Sequence, residues 1–323
     1  MGIIEDIQES IKFYTKSSDD SRLIKLLIDP IDYLAYIPKA NKKHIEMSQY
    51  NKLWGQYLGC EQVFKDTINF HNQKLIPFIK DEETLNIYMN HIKNILIQSY
   101  INYHDSTKKM PTKLYRSISK YEFDYLKTTR KINTLWSTTS SLKTAIGYTI
   151  EMSRLEWNPE EHFILEFSPR EKIPFVNVDT DAETIFEPNE FILIPPFNIS
   201  NLKLVKPGGM DWLGTYDWDN VPIYSVEFKT KKSNPTKNIE ISDINKLYQE
   251  VSSGIHIYGD TIEKILNSND TDKQFHSQNY RTWAKKMQEL FNMQQKFMYN
   301  YFSNQDSIET LSNEIQKLKI LSK

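Results

Sequence analysis

Two changes of texture along the chain constrain its fold more than any single motif does. Up to about residue 105, apolar side chains recur at three- and four-residue spacing, the period of a helix with one buried face. From Leu114 to about Lys229 the chain breaks into short β-branched and aromatic runs separated by turn residues, which reads as strands. After KKSNPTK at 231–237, a turn-rich linker, the helical spacing returns. The expected fold class is α+β, with an N-terminal helical lobe at 1–105, a β-rich core at 106–230 and a C-terminal helical extension at 238–323. Strands do not alternate with helices, and no glycine-rich turn follows a strand, so the pattern excludes a doubly wound dinucleotide fold.

Within the first lobe, Ile4, Ile7, Ile11 and Tyr14 predict a helix over 3–15, and SSDD at 17–20 caps a second over SRLIKLLI. Pro30 and Pro38 interrupt the pattern before a helix-prone stretch from about Lys42 to Asn72. A long helix is expected from Asp81, with Glu82 and Glu83 favourably placed on the helix dipole. Its stripe is Leu85, Tyr88, Met89, Ile92, Leu96 and Tyr100. The predicted strands are 113–118, 133–138, 162–167, 175–178, 190–195, 202–206 and 222–229, with helical spacing through Leu142, Ala145, Ile146 and Thr149. At the far end, Trp283, Met287, Leu290, Met293, Phe297 and Tyr301 make one apolar stripe, and Ile308, Leu311, Ile315 and Leu318 a second. These helices either pack on the body of the protein or offer a face to a protein partner.

Composition narrows the function classes. Apolar residues at 39% and aromatics at 13% suffice for a packed core. Lys plus Arg (40) nearly balances Asp plus Glu (42), which argues against a general electrostatic grip on nucleic acid or an anionic membrane. The single cysteine, Cys60, excludes an intramolecular disulfide and a cysteine-based zinc cluster. Histidines are scattered without an HExxH pair, so no metal is expected, and neither a Gly-x-Ser-x-Gly elbow nor a P-loop occurs. No run approaches the roughly 18 apolar residues of a membrane span, and the N-terminus carries acids where a secretory signal carries bases. The expectation is a soluble, cytoplasmic protein, or one secreted into a host cell without a classical signal peptide.

The chemistry-bearing residues fall in the β region. Arg116 follows Leu114 and Tyr115, while Ser137, Thr138 and Thr139 follow Leu135 and Trp136. Glu190 stands directly before Phe191-Ile192-Leu193-Ile194. Each has an ordinary reading alone: a solvated arginine, β-propensity ahead of a helix cap, a strand-end glutamate facing water. Together they can line one cleft, since strand side chains alternate between faces.

In this order and with these flanks, the chain resembles the mono-ADP-ribosyltransferases of the Arg-Ser-Glu class, which include clostridial binary-toxin and cholera-toxin-like enzymes. LYRSI is similar to the family's arginine strand, LWSTTSSLKTAIGY to its Ser-Thr-Ser strand and following helix, and EFILIPPF to the strand that opens with the catalytic glutamate. SIKFYTKSSDDSRLIKLL (10–27) resembles the helical segment that opens many bacterial members. The resemblance covers about residues 1–230 in outline and leaves 240–323 without a counterpart. It implies a β core split into two sheets with the helical lobe packed against it, and the activity of an effector or toxin. It also implies NAD as co-substrate and a protein, not yet identified, as acceptor of ADP-ribose. Glu190 would be catalytic, with Glu187 and Ser137 in support, and Arg116, Ser137, Thr138, Thr139 and Tyr148 would hold NAD. The acidic or Gln/Glu residue that the family usually has two before the glutamate is replaced here by Pro188, so Glu187 can help only if Pro188-Asn189 bend the chain. An NAD glycohydrolase on the same scaffold and a non-catalytic interaction protein acting through its C-terminal helices remain alternatives.

Overall fold

A computed structural model describes residues 3–16, 18–28, 81–156, 162–169, 171–182, 189–208, 221–230, 239–254, 256–257 and 278–303. Among these, the helices α1 (Ile3–Lys16), α2 (Ser18–Ile28), α3 (Glu82–His104), α7 (Ile241–Ser253) and α8 (Gln278–Ser303) belong to one compact unit. A second unit, whose described part lies within 105–233, holds all the strands and the helices α4 (Lys120–Thr129), α5 (Leu142–Glu156) and α6 (Val178–Asp181). The chain order suggested three segments, but the N- and C-terminal helices share one unit. The helix-prone stretch 42–72 and the second C-terminal stripe at 308–318 lie outside the described residues.

The helical unit is organised on α3. Asp81 caps it, its carboxylate accepting from the Glu83 and Thr84 N–H groups at 3.2 and 3.1 Å. The whole expected stripe is buried, together with Ile95, Ile97, Ser99 and Asn102. That width exceeds one stripe because α1, α2 and α8 all pack against this helix. On α1, Ile7, Ile11 and Tyr14 are buried as the spacing predicts, whereas Ile4 is 66% exposed. On α8, Trp283, Met287 and Leu290 are buried, and the Trp283 indole donates to the Val251 carbonyl at 3.0 Å. Gly254 ends α7 against that ring, where any Cβ would come within 2.7 Å of Trp283 Cδ1.

The strands are β1 (Leu114–Ser119), β2 (Lys131–Ile132), β3 (Trp136–Thr139), β4 (His162–Phe167), β5 (Phe175–Asn177), β6 (Glu190–Leu193), β7 (Phe197–Lys206) and β8 (Ile223–Thr230). They form one sheet of 8 strands in the order β2-β7-β8-β4-β1-β3-β6-β5. All pairs are antiparallel except β4 with β8. The expected pair of separate sheets is thus a single hydrogen-bonded sheet. The physical reason is one rung: β1 meets β3 only at Tyr115↔Thr139, whereas β1 pairs with β4 over six residue pairs. Either side of that seam, the two halves contribute to a common core. Trp136, Phe175, Phe191 and Leu193 come from one half, and Leu114, Leu165, Phe167, Phe197 and Phe228 from the other. The Trp136 ring lies 5.7 Å from Phe167 and 6.3 Å from Phe228.

The α1–α3 interface carries a polar knot that makes stability pH-dependent. His91 Nδ1 lies 3.0 Å from Ser10 Oγ, and its ring stacks on Phe13 at 4.0 Å. Burial pushes the His91 pKa down, against the opposing pull of Glu9 and Asp20. The fold therefore favours the neutral ring. Its contribution is fully present above the ordinary histidine value of about 6.5 and is lost as pH falls through the lowered folded value. The denaturation midpoint is expected to drop between pH 7.5 and 5, and His91→Gln, which keeps a partner for Ser10, is expected to flatten that drop.

Candidate functional site

The seam between β1 and β3 gathers the candidate residues. Arg116 lies on β1, one residue past the joining rung, where the ladder to β3 has ended. Its guanidinium spans the opening, with Nη1 donating to the Ser137 carbonyl at 2.8 Å. Nη2 pairs with the Glu122 carboxylate of α4 at 3.2 Å, and the guanidinium carbon sits 5.0 Å over the Trp136 ring. Nε is buried and has no hydrogen-bond partner among the described residues. An arginine in this state has two of its three nitrogens engaged and a third donor unsatisfied, a costly condition for a buried N–H.

Glu190 opens β6. It is 8% exposed, so its carboxylate is held away from bulk water, and it lies directly across from Thr139. The row Tyr115–Thr139–Glu190 therefore crosses three neighbouring strands at one level. Residues paired across antiparallel strands share a face, and so do residues two apart on a strand. Ser137, Thr139 and Glu190 are accordingly on one face. Arg116 is not. Leu114 and Ile118, which flank it at two-residue spacing, enter the aromatic core with Trp136, while Tyr115 packs with Ala145 and Ile164 on the opposite side. The expectation of one cleft lined by all four residues needs this correction: the hydroxyls and the carboxylate lie on one face, and the guanidinium reaches the seam from the other. The cause is register, which sets Tyr115 and not Arg116 opposite Thr139.

The three hydroxyls differ in role. Thr138, expected among the NAD-holding residues, is instead buried on the strand face of Trp136, and its Oγ1 donates to the Phe191 carbonyl at 2.9 Å, so it ties β3 to β6. Thr139 Oγ1 accepts from the Ser141 N–H at 3.1 Å, and Ser141 Oγ accepts from Thr144 N–H at 3.2 Å, which caps α5. Ser137 is half-buried at the seam. Tyr148 is half-buried on α5. Glu187 lies outside the described residues.

Sequence reasoning missed three residues. Glu122 is the acid that pairs with Arg116, and its signal, six residues on along an aromatic-rich helix, is too weak to find without the fold. Asn189 has a positive φ of 72° just ahead of Glu190, and Asp179 accepts from its N–H at 2.5 Å. A Pro-Asn pair before a strand is a turn signal, but nothing local names the acid that receives it. Among the described residues no group of three or more His, Cys, Asp or Glu side chains is placed to hold a metal ion, and no helix is long and apolar enough to cross a membrane.

No protein-family model matches this chain, and neither a curated protein nor a solved structure does. The residues and their geometry carry the functional argument alone.

Thr138 provides a control that separates support from chemistry. Thr138→Val removes one buried hydrogen bond at nearly constant volume and is expected to cost about 1 kcal/mol in denaturant titration, while leaving any ligand affinity of the seam within about twofold.

Proposed function

We propose that the protein is an NAD-dependent mono-ADP-ribosyltransferase, cleaving the bond between nicotinamide and ribose and passing ADP-ribose to a protein side chain. On this reading the sheet and its helices form a core of ADP-ribosyltransferase type. The observation that carries the proposal is the seam, where Glu190, Ser137 and Thr139 share one face and an incompletely satisfied guanidinium reaches the Ser137 carbonyl from the other. The order of the same residues in the sequence supports it independently.

The chemistry follows from the charges. Loss of neutral nicotinamide leaves an oxocarbenium-like ribose, so the site must hold a pyrophosphate and set negative charge beside the developing cation. A guanidinium is always charged and grips phosphate oxygens as a fork, which suits Arg116. Its Nε has no acceptor among the described residues, and a phosphate would compete with the Glu122 carboxylate for the guanidinium. Glu190 would accept from the ribose 2′-hydroxyl and stabilise the cation, with Ser137 and Thr139 beside it on the same face. Its low exposure matters because a carboxylate shielded from water stabilises a nearby cation more strongly than a solvated one. Tyr148, on the helix that follows the hydroxyl strand, would flank the nicotinamide ring on this reading. The acceptor is a protein still to be identified.

A second reading, NAD glycohydrolase, is favoured by one sequence observation. Pro188 occupies the place two before Glu190 where the resembled family has an acceptor-facing residue, which would leave water as the acceptor. Following labelled ADP-ribose into protein, alongside nicotinamide release, separates the two.

Glu190→Gln changes charge and little volume. It is expected to lower nicotinamide release by about a hundredfold or more, with an unchanged circular dichroism spectrum. Undiminished turnover in the purified variant would remove Glu190 from the mechanism. Arg116→Lys replaces the fork by a point charge and is expected to weaken NAD binding in calorimetry by about tenfold or more. If NAD affinity holds and only the melting temperature falls, Arg116 is a structural ion-pair partner and nothing more.

A further inference from the structure

The geometry points to Asp179 as the positioning residue that aims Glu190, an inference resting on the proposed reaction and extending it to a residue outside the reacting set. Glu190 leaves a turn whose last residue, Asn189, has φ 72°, in the left-handed region that side chains other than glycine seldom adopt. Asparagine tolerates that region better than most residues, but something must hold it there. Two contacts do. The Asn189 N–H donates to Asp179 Oδ2 at 2.5 Å, and its carbonyl accepts from the Ser140 N–H at 3.0 Å. The residue immediately before Glu190 is therefore gripped from both sides, by α6 and by the connection from β3 to α5.

The α6 grip is itself anchored. Asn177 caps this single turn, and its N–H donates to Asp181 Oδ2 at 2.8 Å. Asp181 Oδ1 in turn pairs with Lys108 at 3.1 Å. Asp179 thus projects from a turn fixed at both ends. Its Oδ1 is buried without a hydrogen-bond partner among the described residues, so the charge bears chiefly on the Asn189 amide. A charged acceptor makes a shorter, stronger hydrogen bond than a neutral one. Asp179 is half-buried, and leaving its Oδ1 without a partner among the described residues carries a modest cost, expected where fixing a neighbour matters more than stability. Asp179 touches no reacting atom in this account. It sets the direction in which the Glu190 backbone enters β6, opposite Thr139.

The test is nicotinamide release from NAD by the full chain, with kcat and KM determined for wild type, Asp179→Ala and Asp179→Asn, alongside hydrogen exchange of the Asn189 amide. Misplacing a catalytic group by a fraction of an ångström to an ångström costs roughly ten- to a hundredfold in rate. Asp179→Ala is expected to lower kcat by that factor with KM within about twofold, and to speed exchange at Asn189. Asp179→Asn, which keeps an acceptor oxygen, is expected to recover most of the kcat. Should Asp179→Ala fail to fold, Asp179→Ser, too short to reach the amide, gives the same comparison. Unchanged kcat in the truncated variant, a change confined to KM, or equal losses in Ala and Asn would each overturn the positioning role. A wild-type protein that releases no nicotinamide sinks the proposed reaction itself. An active wild type with an indifferent Asp179→Ala sinks this inference alone.

Discussion

The single backbone rung between Tyr115 and Thr139 is the constraint on which the β unit turns. A sheet joined by one rung gains little there from its own ladder, so other forces must keep its halves in register. Two do so here. Aromatic side chains from both halves interdigitate beneath the seam, with Trp136 between Phe167 and Phe228. Across the seam, the Arg116 guanidinium takes a β3 carbonyl that the ladder has left behind. The first force is non-directional and scales with buried area, while the second is directional and fixes where the halves part.

Whether Arg116 is there for stability can be weighed by magnitude. A partly exposed ion pair such as Arg116–Glu122 contributes on the order of 0–1 kcal/mol, and a guanidinium over a ring about 0.5–2 kcal/mol. Against this stands the desolvation of a charged side chain and an Nε left without an acceptor among the described residues. The bond from Nη1 to the Ser137 carbonyl stands on the favourable side, so Arg116 holds the seam while keeping one donor without an acceptor among the described residues.

Legibility in the sequence followed the length and regularity of each element. The helix α3 announced itself by Asp81, its two following glutamates and a stripe of six apolar residues, all of which are buried. His162–Phe167 could be read to the residue, because alternation and flanking turns bound it on both sides. The helix α4 was hidden, because KYEFDYLKTT has the aromatic and β-branched texture of its strand neighbours, although Phe123 and Leu126 are buried at helical spacing. Two-residue β2 and four-residue α6 are too short to leave any period. The candidate residues were legible as types and as an order along the chain. Their faces were not, because alternation fixes faces only relative to a register, and register is decided by the partner strand. That is why Arg116 was expected beside Ser137 and is found reaching it from the other side. The shared unit of the N- and C-terminal helices was hidden for a related reason: a stripe on α8 shows that a partner exists without naming α3.

The seam also explains why residues so far apart in the chain converge. β3 ends where β6 begins, and antiparallel pairing places Thr139, last in its strand, opposite Glu190, first in its own. Each strand end must connect onward through a turn, so the start of α5 and the Asn189 turn are forced together, as the Ser140–Asn189 hydrogen bond records. β5 pairs with β6 on the far side, which brings α6 and Asp179 to the same end of the sheet. Four segments thus meet at one strand terminus because of topology and not because of their sequence spacing. Strand termini suit chemistry because backbone donors there lie outside the ladder, and turns can hold conformations such as that of Asn189 which a strand interior would not. A glutamate two residues deeper in β6 would stand at the place of Ile192, which is fully buried and out of reach of any ligand. At the first position it keeps a low exposure at the strand terminus, beside Thr139 and the Asn189 turn.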